Sequence, residues 1–154
     1  EAIRMPIIVV GDSGWNDFDM NHIVASKACY MERPEHLNLD ETSTWDVVRW
    51  AVKYRSDVLV LQATSPLRAL EDIRGAIDLY EQEGKPVTST CGGKPNGAIY
   101  LRHSDSLETA DWLPYEMPKS RSIDIDTMED FGLAEQIQRE MAQGSKGKPP
   151  KKDA

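Results

Sequence analysis

A chain of 154 residues, 40% of them hydrophobic, is long enough to bury one ordinary core. Its 18 basic and 26 acidic residues give a formal net charge of −8, which argues against broad nucleic-acid binding by the folded body. No apolar run approaches the ~20 residues of a membrane span and the N-terminus has no secretory pattern, so the sequence reads as cytoplasmic, with no membrane partner.

In chain order, Pro6 to Val10 (PIIVV) is a short apolar run suited to a buried strand. The turn GDSG follows at Gly11 to Gly14; Ser13 there is a candidate nucleophile of a GDS-type esterase. That chemistry needs an Asp-x-x-His pair late in the chain, and the last histidine is His103. Asp19 to His22 has the spacing but comes too soon after Ser13. TWDVVRWAVKY sets Trp45, Val48 and Val52 at helical spacing, and DVLVLQ (Asp57 to Gln62) predicts a second buried strand. LQATSPLR then delivers Gln62 at a strand end, makes a sharp exit through Thr64, Ser65 and Pro66, and adds Arg68 as a fixed cation. Together they can present an amide and a guanidinium to an anionic or hydroxylated ligand; ordinary helix capping accounts equally for the Ser-Pro step.

Ala69, Ile73, Ala76, Ile77 and Tyr80 predict an amphipathic helix closed at Gly84, then a strand PVTST. Strand, helix, strand, helix, strand is the pattern of a parallel sheet with crossover helices. PNGAIYL (Pro95 to Leu101) reads as a tight Asn-Gly turn leading into a strand that carries Tyr100. SLETADWL predicts a short helix, RSIDI a last strand, and Thr127 to Met141 a helix with Thr127 as N-cap and Glu129 and Asp130 in its first turn. Cys29 and Cys91 lie beside predicted strands without a CxxC or CxxH partner, so they read as small buried residues in a reducing compartment.

On a strand, Asp124 and Asp126 point to the same side and repel unless a cation lies between them. Mg²⁺ suits such a pair because it takes hard oxygen ligands and bridges to phosphates. The other reading has one aspartate capping the final helix while its neighbour faces solvent. From Gly144 the chain turns to GSKGKPPKKDA, a composition that cannot bury enough surface to fold. Four lysines and one aspartate there carry +3 of the total, leaving −11 on residues 1–143. The expected organisation is an α/β domain over 1–143 and a disordered basic tail over 144–154.

Taken together and in order, RPEHLNLDETST, LQATSPLR, PNGAIYL and SIDIDTMEDFGLAE resemble the acylneuraminate cytidylyltransferases, the CMP-sialic acid synthetases related to the CMP-Kdo enzymes. The resemblance covers about residues 6 to 135. It implies a three-layer, mainly parallel Rossmann-like nucleotidyltransferase sheet, and a magnesium-dependent transfer of CMP from CTP to an acidic eight- or nine-carbon sugar with release of pyrophosphate. Asp124 and Asp126 would hold Mg²⁺ and serve catalysis. Asp12, Arg33 and Thr44 match nucleotide-contacting positions; Gln62, Asn96 and Tyr100 match positions near the sugar, with Arg68 in the same substrate group. The family's first strand and its Arg/Lys phosphate loop have no counterpart in the chain, so the expected fold is truncated at that strand. The dimerisation segment before NGAIY is reduced to CGGKP, and Ala63 replaces a proline. These departures predict low turnover for this chain by itself. They leave open a homodimer or companion subunit, and a non-catalytic binding or scaffold subunit as the second class of function.

Overall fold

The computed structural model describes residues 6–11 and 28–144. Asp12, Ser13, the Asp19 to His22 stretch and the basic tail from Ser145 onward therefore lie outside the described residues. The chain divides into two compact units, Glu1–Ser56 and Asp57–Ala154.

In the first unit, β1 (Ile8–Gly11) pairs in parallel with β2 (Cys29–Glu32). A 3-10 turn at Glu35–Leu37 follows, then helix α1 (Thr44–Ala51). Ser43 caps α1 by accepting the Asp46 N–H at 3.1 Å, while its hydroxyl donates to the Asp46 carboxylate at 2.9 Å. The helix ends earlier than the apolar spacing predicts, because Val52 is already extended. Cys29 opens β2 and is exposed, and Cys91 is half-buried; neither is the fully buried residue expected. Both stand at strand ends.

The second unit carries β3 (Asp57–Val60), α2 (Leu70–Glu83), β4 (Val87–Cys91), β5 (Lys94–His103), β6 (Leu113–Glu116) and α3 (Met128–Gly144). The sheet order is β3-β5-β4-β6. β5 runs antiparallel to both β3 and β4, and β6 runs parallel to β4. The strand-helix-strand unit β3-α2-β4 forms as expected, but its two strands are not neighbours: β5 enters between them through a hairpin at Gly92-Gly93. The result is an α/β fold with mixed sheets rather than a mainly parallel one.

One face of this sheet packs against α2. Ala76, Val87, Ile99, Leu101 and Met117 are buried there, and Leu59, Ile73, Ile77, Leu113 and Tyr115 close around them. Gly75 in mid-helix explains how close that packing is: a Cβ at this position would collide with the Tyr115 hydroxyl and ring. α2 is bounded by Gly84 in the left-handed conformation.

Two predicted elements differ. SLETADWL is not a helix: only its first residue, Ser106, lies in a 3-10 turn, Ser104–Ser106, and the chain then runs irregularly into β6. Thr109 Oγ1 accepts the Asp111 N–H at 3.2 Å, a side-chain turn that competes with a helix, and Pro114 forces Leu113 into the extended region. RSIDI is not a strand. Its start lies in a 3-10 turn, Lys119–Arg121, and the Ile125 N–H donates to the Thr64 carbonyl at 2.8 Å, a loop partner instead of a ladder.

Arg121 is drawn away from any sheet by charge. Its Nε and Nη2 donate to the two oxygens of Asp72 at 2.8 and 2.9 Å, and Nη1 lies 2.8 Å from Glu71. Asp72 is 1% exposed and also accepts the Ala69 N–H at 2.8 Å, so one carboxylate caps α2 and anchors the approach to residues 122–125. Arg121→Met is expected to cost about 2 to 3 kcal/mol, because it leaves a buried carboxylate without its cation. A urea midpoint that stays in place at unchanged m value would show that the pair is not structural.

Tyr80 on α2 donates to the Asp57 carboxylate at 2.5 Å. Burial first, and this hydrogen bond second, push its pKa up to about 12. The folded state thus favours the neutral phenol: the stabilisation is complete below about pH 10 and is lost as pH rises towards 12. In Asp57→Asn the Tyr80 transition, followed by phenolate absorbance, is expected to move down towards 10 without reaching it, since burial remains.

Candidate functional site

Gln62 stands two residues past the end of β3, Gly97 lies within β5, and Asp124 comes from the irregular segment before α3. These three meet. A Cβ built on Gly97 would stand 2.5 Å from Gln62 Oε1 and 3.2 Å from Asp124 Oδ2. A Cβ there would push aside the Gln62 amide, the far end of a flexible side chain, and the backbone φ of +76° by itself favours glycine. The positive φ at Gly97 suits Asn-Gly, but the dipeptide lies inside β5 and not in a turn ahead of it. The dipeptide forms a bulge: the register jumps from Thr88 opposite Tyr100 to Thr90 opposite Pro95, so β5 carries extra residues there.

Arg68 builds the loop after β3. Its Nη1 donates to the carbonyls of Gln62 at 2.6 Å, Ser65 at 2.8 Å and Ala98 at 3.3 Å. Burial lowers its pKa, yet guanidinium remains charged. Ser65, fully buried, places its hydroxyl 3.5 Å from Asp124 Oδ1. With the Ile125 to Thr64 backbone bond, this ties the aspartate segment to the TSP loop.

Asn96 is bound on its oxygen side: Oδ1 accepts from Ser89 Oγ at 2.6 Å and from the Ala98 N–H at 3.2 Å. Tyr100 is half-buried. Burial raises its pKa most, Arg102 opposes, and Asp124 adds to the rise, so the tyrosine lies in the field of that carboxylate. Arg102 was not singled out by sequence reasoning. It is 3% exposed, stands 5.8 Å over the Tyr100 ring, and donates to the carbonyls of Val87 at 2.9 Å and Leu101 at 3.1 Å and to the Thr88 hydroxyl. A cation two residues beyond Tyr100 on the same strand face was the available signal.

Asp126 does not share a strand face with Asp124, because no strand forms there. Its carboxylate is exposed at the start of α3. Capping falls to Thr127 and Asp130 instead: the Thr127 hydroxyl accepts the Asp130 N–H at 3.2 Å, and Asp130 accepts from the Thr127 N–H and hydroxyl at 2.9 and 2.7 Å. The Thr127 hydroxyl is the largest influence holding Asp130 below the usual carboxylate range. The N-cap expectation holds, and neither Asp124 nor Asp126 is the capping side chain. No ion pair among the described residues reaches either of them. Those residues also contain no group of three or more His, Cys, Asp or Glu placed to hold a metal.

In the first unit, the Arg33 N–H donates to the Gly11 carbonyl at 2.7 Å, which puts Arg33 at the carboxyl ends of β1 and β2. Among the described residues its Nε is buried without a hydrogen-bond partner. Thr44 is the first residue of α1. Asp12 lies outside the described residues. Among those residues no helix is long and apolar enough to cross a membrane.

No protein-family model matches the chain, and no curated protein matches it.

Gly97→Ala is expected to cost about 1 to 3 kcal/mol, from positive φ and from collision with Gln62. In a Gln62→Ala background part of that cost should vanish. A double-mutant cycle by chemical denaturation that returns zero coupling would mean that the two positions do not touch.

Proposed function

We propose that the protein is a cytidylyltransferase-like nucleotidyltransferase, passing CMP from CTP to an acidic sugar of the sialic acid or Kdo type with release of pyrophosphate. The observation that carries this reading is the meeting of Gln62, Gly97 and Asp124, three residues from three separate motifs, at one place in the second unit. The sequence resemblance orders these motifs, and their contact is what a shared substrate site requires.

In this reading Gln62, Asn96 and Tyr100 orient the sugar while Arg68 keeps their loop in shape. Arg33, whose buried Nε has no partner among the described residues, and Thr44 take the nucleotide role in the first unit, together with Asp12. Asp124 and Asp126 fit Mg²⁺ by donor chemistry, since this ion needs only one or two carboxylates when substrate phosphates and waters complete its shell. Bound there, it would neutralise phosphate charge as the sugar oxygen attacks the α-phosphorus. The residues themselves supply orientation: the Gln62 amide beside Gly97 can hold a sugar hydroxyl, and Tyr100 remains a neutral donor because burial and Asp124 both keep its proton on.

A second reading is a non-catalytic binding subunit derived from the same fold. It is favoured by the internal use of Arg68 Nη1 and Asn96 Oδ1, both occupied in holding backbone. Pyrophosphate release from CTP with Mg²⁺ and N-acetylneuraminic acid or Kdo, alongside calorimetric binding of each, separates the two. The enzyme reading predicts turnover, and a loss of about 10²-fold or more in Asp124→Asn. Binding without turnover supports the subunit reading. Failure of CTP and both sugars to bind overturns both.

A further inference from the structure

The hydrogen bonds around Asn96 fix which way its amide faces. The Ala98 N–H points at one atom of that amide from 3.2 Å, and a backbone N–H can only donate, so the atom is the oxygen. Ser89, fully buried on β4, accepts the Ile99 N–H at 2.8 Å and spends its own hydrogen on the same Asn96 oxygen at 2.6 Å. Reversing the amide would set donor against donor at Ala98 and remove the acceptor from Ser89. Asn96 Oδ1 is therefore filled by two donors. Its Nδ2 carries two hydrogens, and its partner among the described residues is Met117 Sδ at 3.6 Å, a weak acceptor. The residue is half-buried, so this NH₂ is the group it has left to offer a ligand.

We propose that Ser89 is a positioning residue that locks Asn96 as a pure hydrogen-bond donor, so that this point of the site selects an acceptor oxygen of the sugar, its carboxylate or acyl carbonyl. The inference rests on the cytidylyltransferase reading above. It adds the polarity of one contact and a residue, Ser89, that touches no substrate. Donating to a carboxylate contributes more than donating to a neutral group, which favours acidic sugars at this position.

The test follows side-chain amide signals of the ¹⁵N-labelled chain during titration with N-acetylneuraminic acid in the presence of CTP and Mg²⁺. The Asn96 NH₂ pair is expected to shift with the sugar. Asn96→Asp keeps an oxygen under Ala98 and Ser89 but replaces the donor with a carboxylate oxygen; sugar affinity should fall about tenfold or more. Ser89→Ala should weaken sugar binding by less, with the loss on KM rather than kcat, and should broaden or move the Asn96 pair even without ligand. The wild-type titration needs no variant to fold. Should the sugar bind and shift the Gln62 amide while the Asn96 pair stays in place and Asn96→Asp binds equally well, the positioning role is overturned and the proposed function stands. Should neither sugar nor CTP bind, the proposed function falls and this inference falls with it.

Discussion

One guanidinium nitrogen, Arg68 Nη1, gathers the carbonyls of Gln62, Ser65 and Ala98. Two of these belong to the loop after β3 and the third to β5, so a single cation joins the loop to the neighbouring strand. The bulge at Asn96-Gly97 disturbs the ladder there, and the backbone polar groups it disturbs must find partners elsewhere. Ala98 meets both needs through side chains: its carbonyl accepts from Arg68 and its N–H donates to Asn96. Because those bonds hold, Gly97 can pass close to Gln62 and Asp124 without its own side chain in the way.

The same economy governs the end of the hairpin. Glu116 on β6 accepts from the Thr90 hydroxyl at 2.7 Å and from the backbone N–H groups of Gly92 and Gly93, and those bonds, Thr90 foremost, hold its carboxyl below the usual range. The hairpin that inserts β5 between β3 and β4 is thus pinned at its tip by an acid and at its bulge by an amide. Charged side chains do comparable work elsewhere in this unit: Asp72 and Arg121 fix the approach to Asp124, and Arg102 lies buried beneath Tyr100. In a protein of net charge −8, Arg68, Arg102 and Arg121 of the second unit are engaged with backbone carbonyls and with Glu71 and Asp72, and no ion pair among the described residues reaches Asp124 or Asp126.

Apolar spacing and capping residues located α1, β3, α2 and β4, and Thr127 marked the start of α3, because these signals are local: a helix face or an N-cap is settled within a turn or two of chain. Where local signals misled, a longer-range partner had won. SIDI alternates like a strand, yet the Ile125 N–H reaches Thr64 and Arg121 reaches Asp72. LETADWL has helical composition, yet β4 offers β6 a parallel edge and Pro114 accepts the extended state. Asn-Gly is the usual hairpin dipeptide, yet Gly92-Gly93 takes the turn. Arg102 escaped notice because strand alternation places it on one face with Tyr100 but does not say that this face buries a cation.

By itself, the sequence determined an α/β protein, the helices and strands whose periodicity is local, and the acidic character of the body. Only the tertiary structure decided the mixed pairing of the sheet, the insertion of β5, the irregular backbone that carries Asp124 and Asp126, and the contact of Gln62 with Gly97 and Asp124. Each of these depends on which backbone groups lack partners after the hairpin closes, and that is a property of residues distant in the chain: a carbonyl at Gln62 and another at Ala98 are brought to one guanidinium only once β3 and β5 lie side by side.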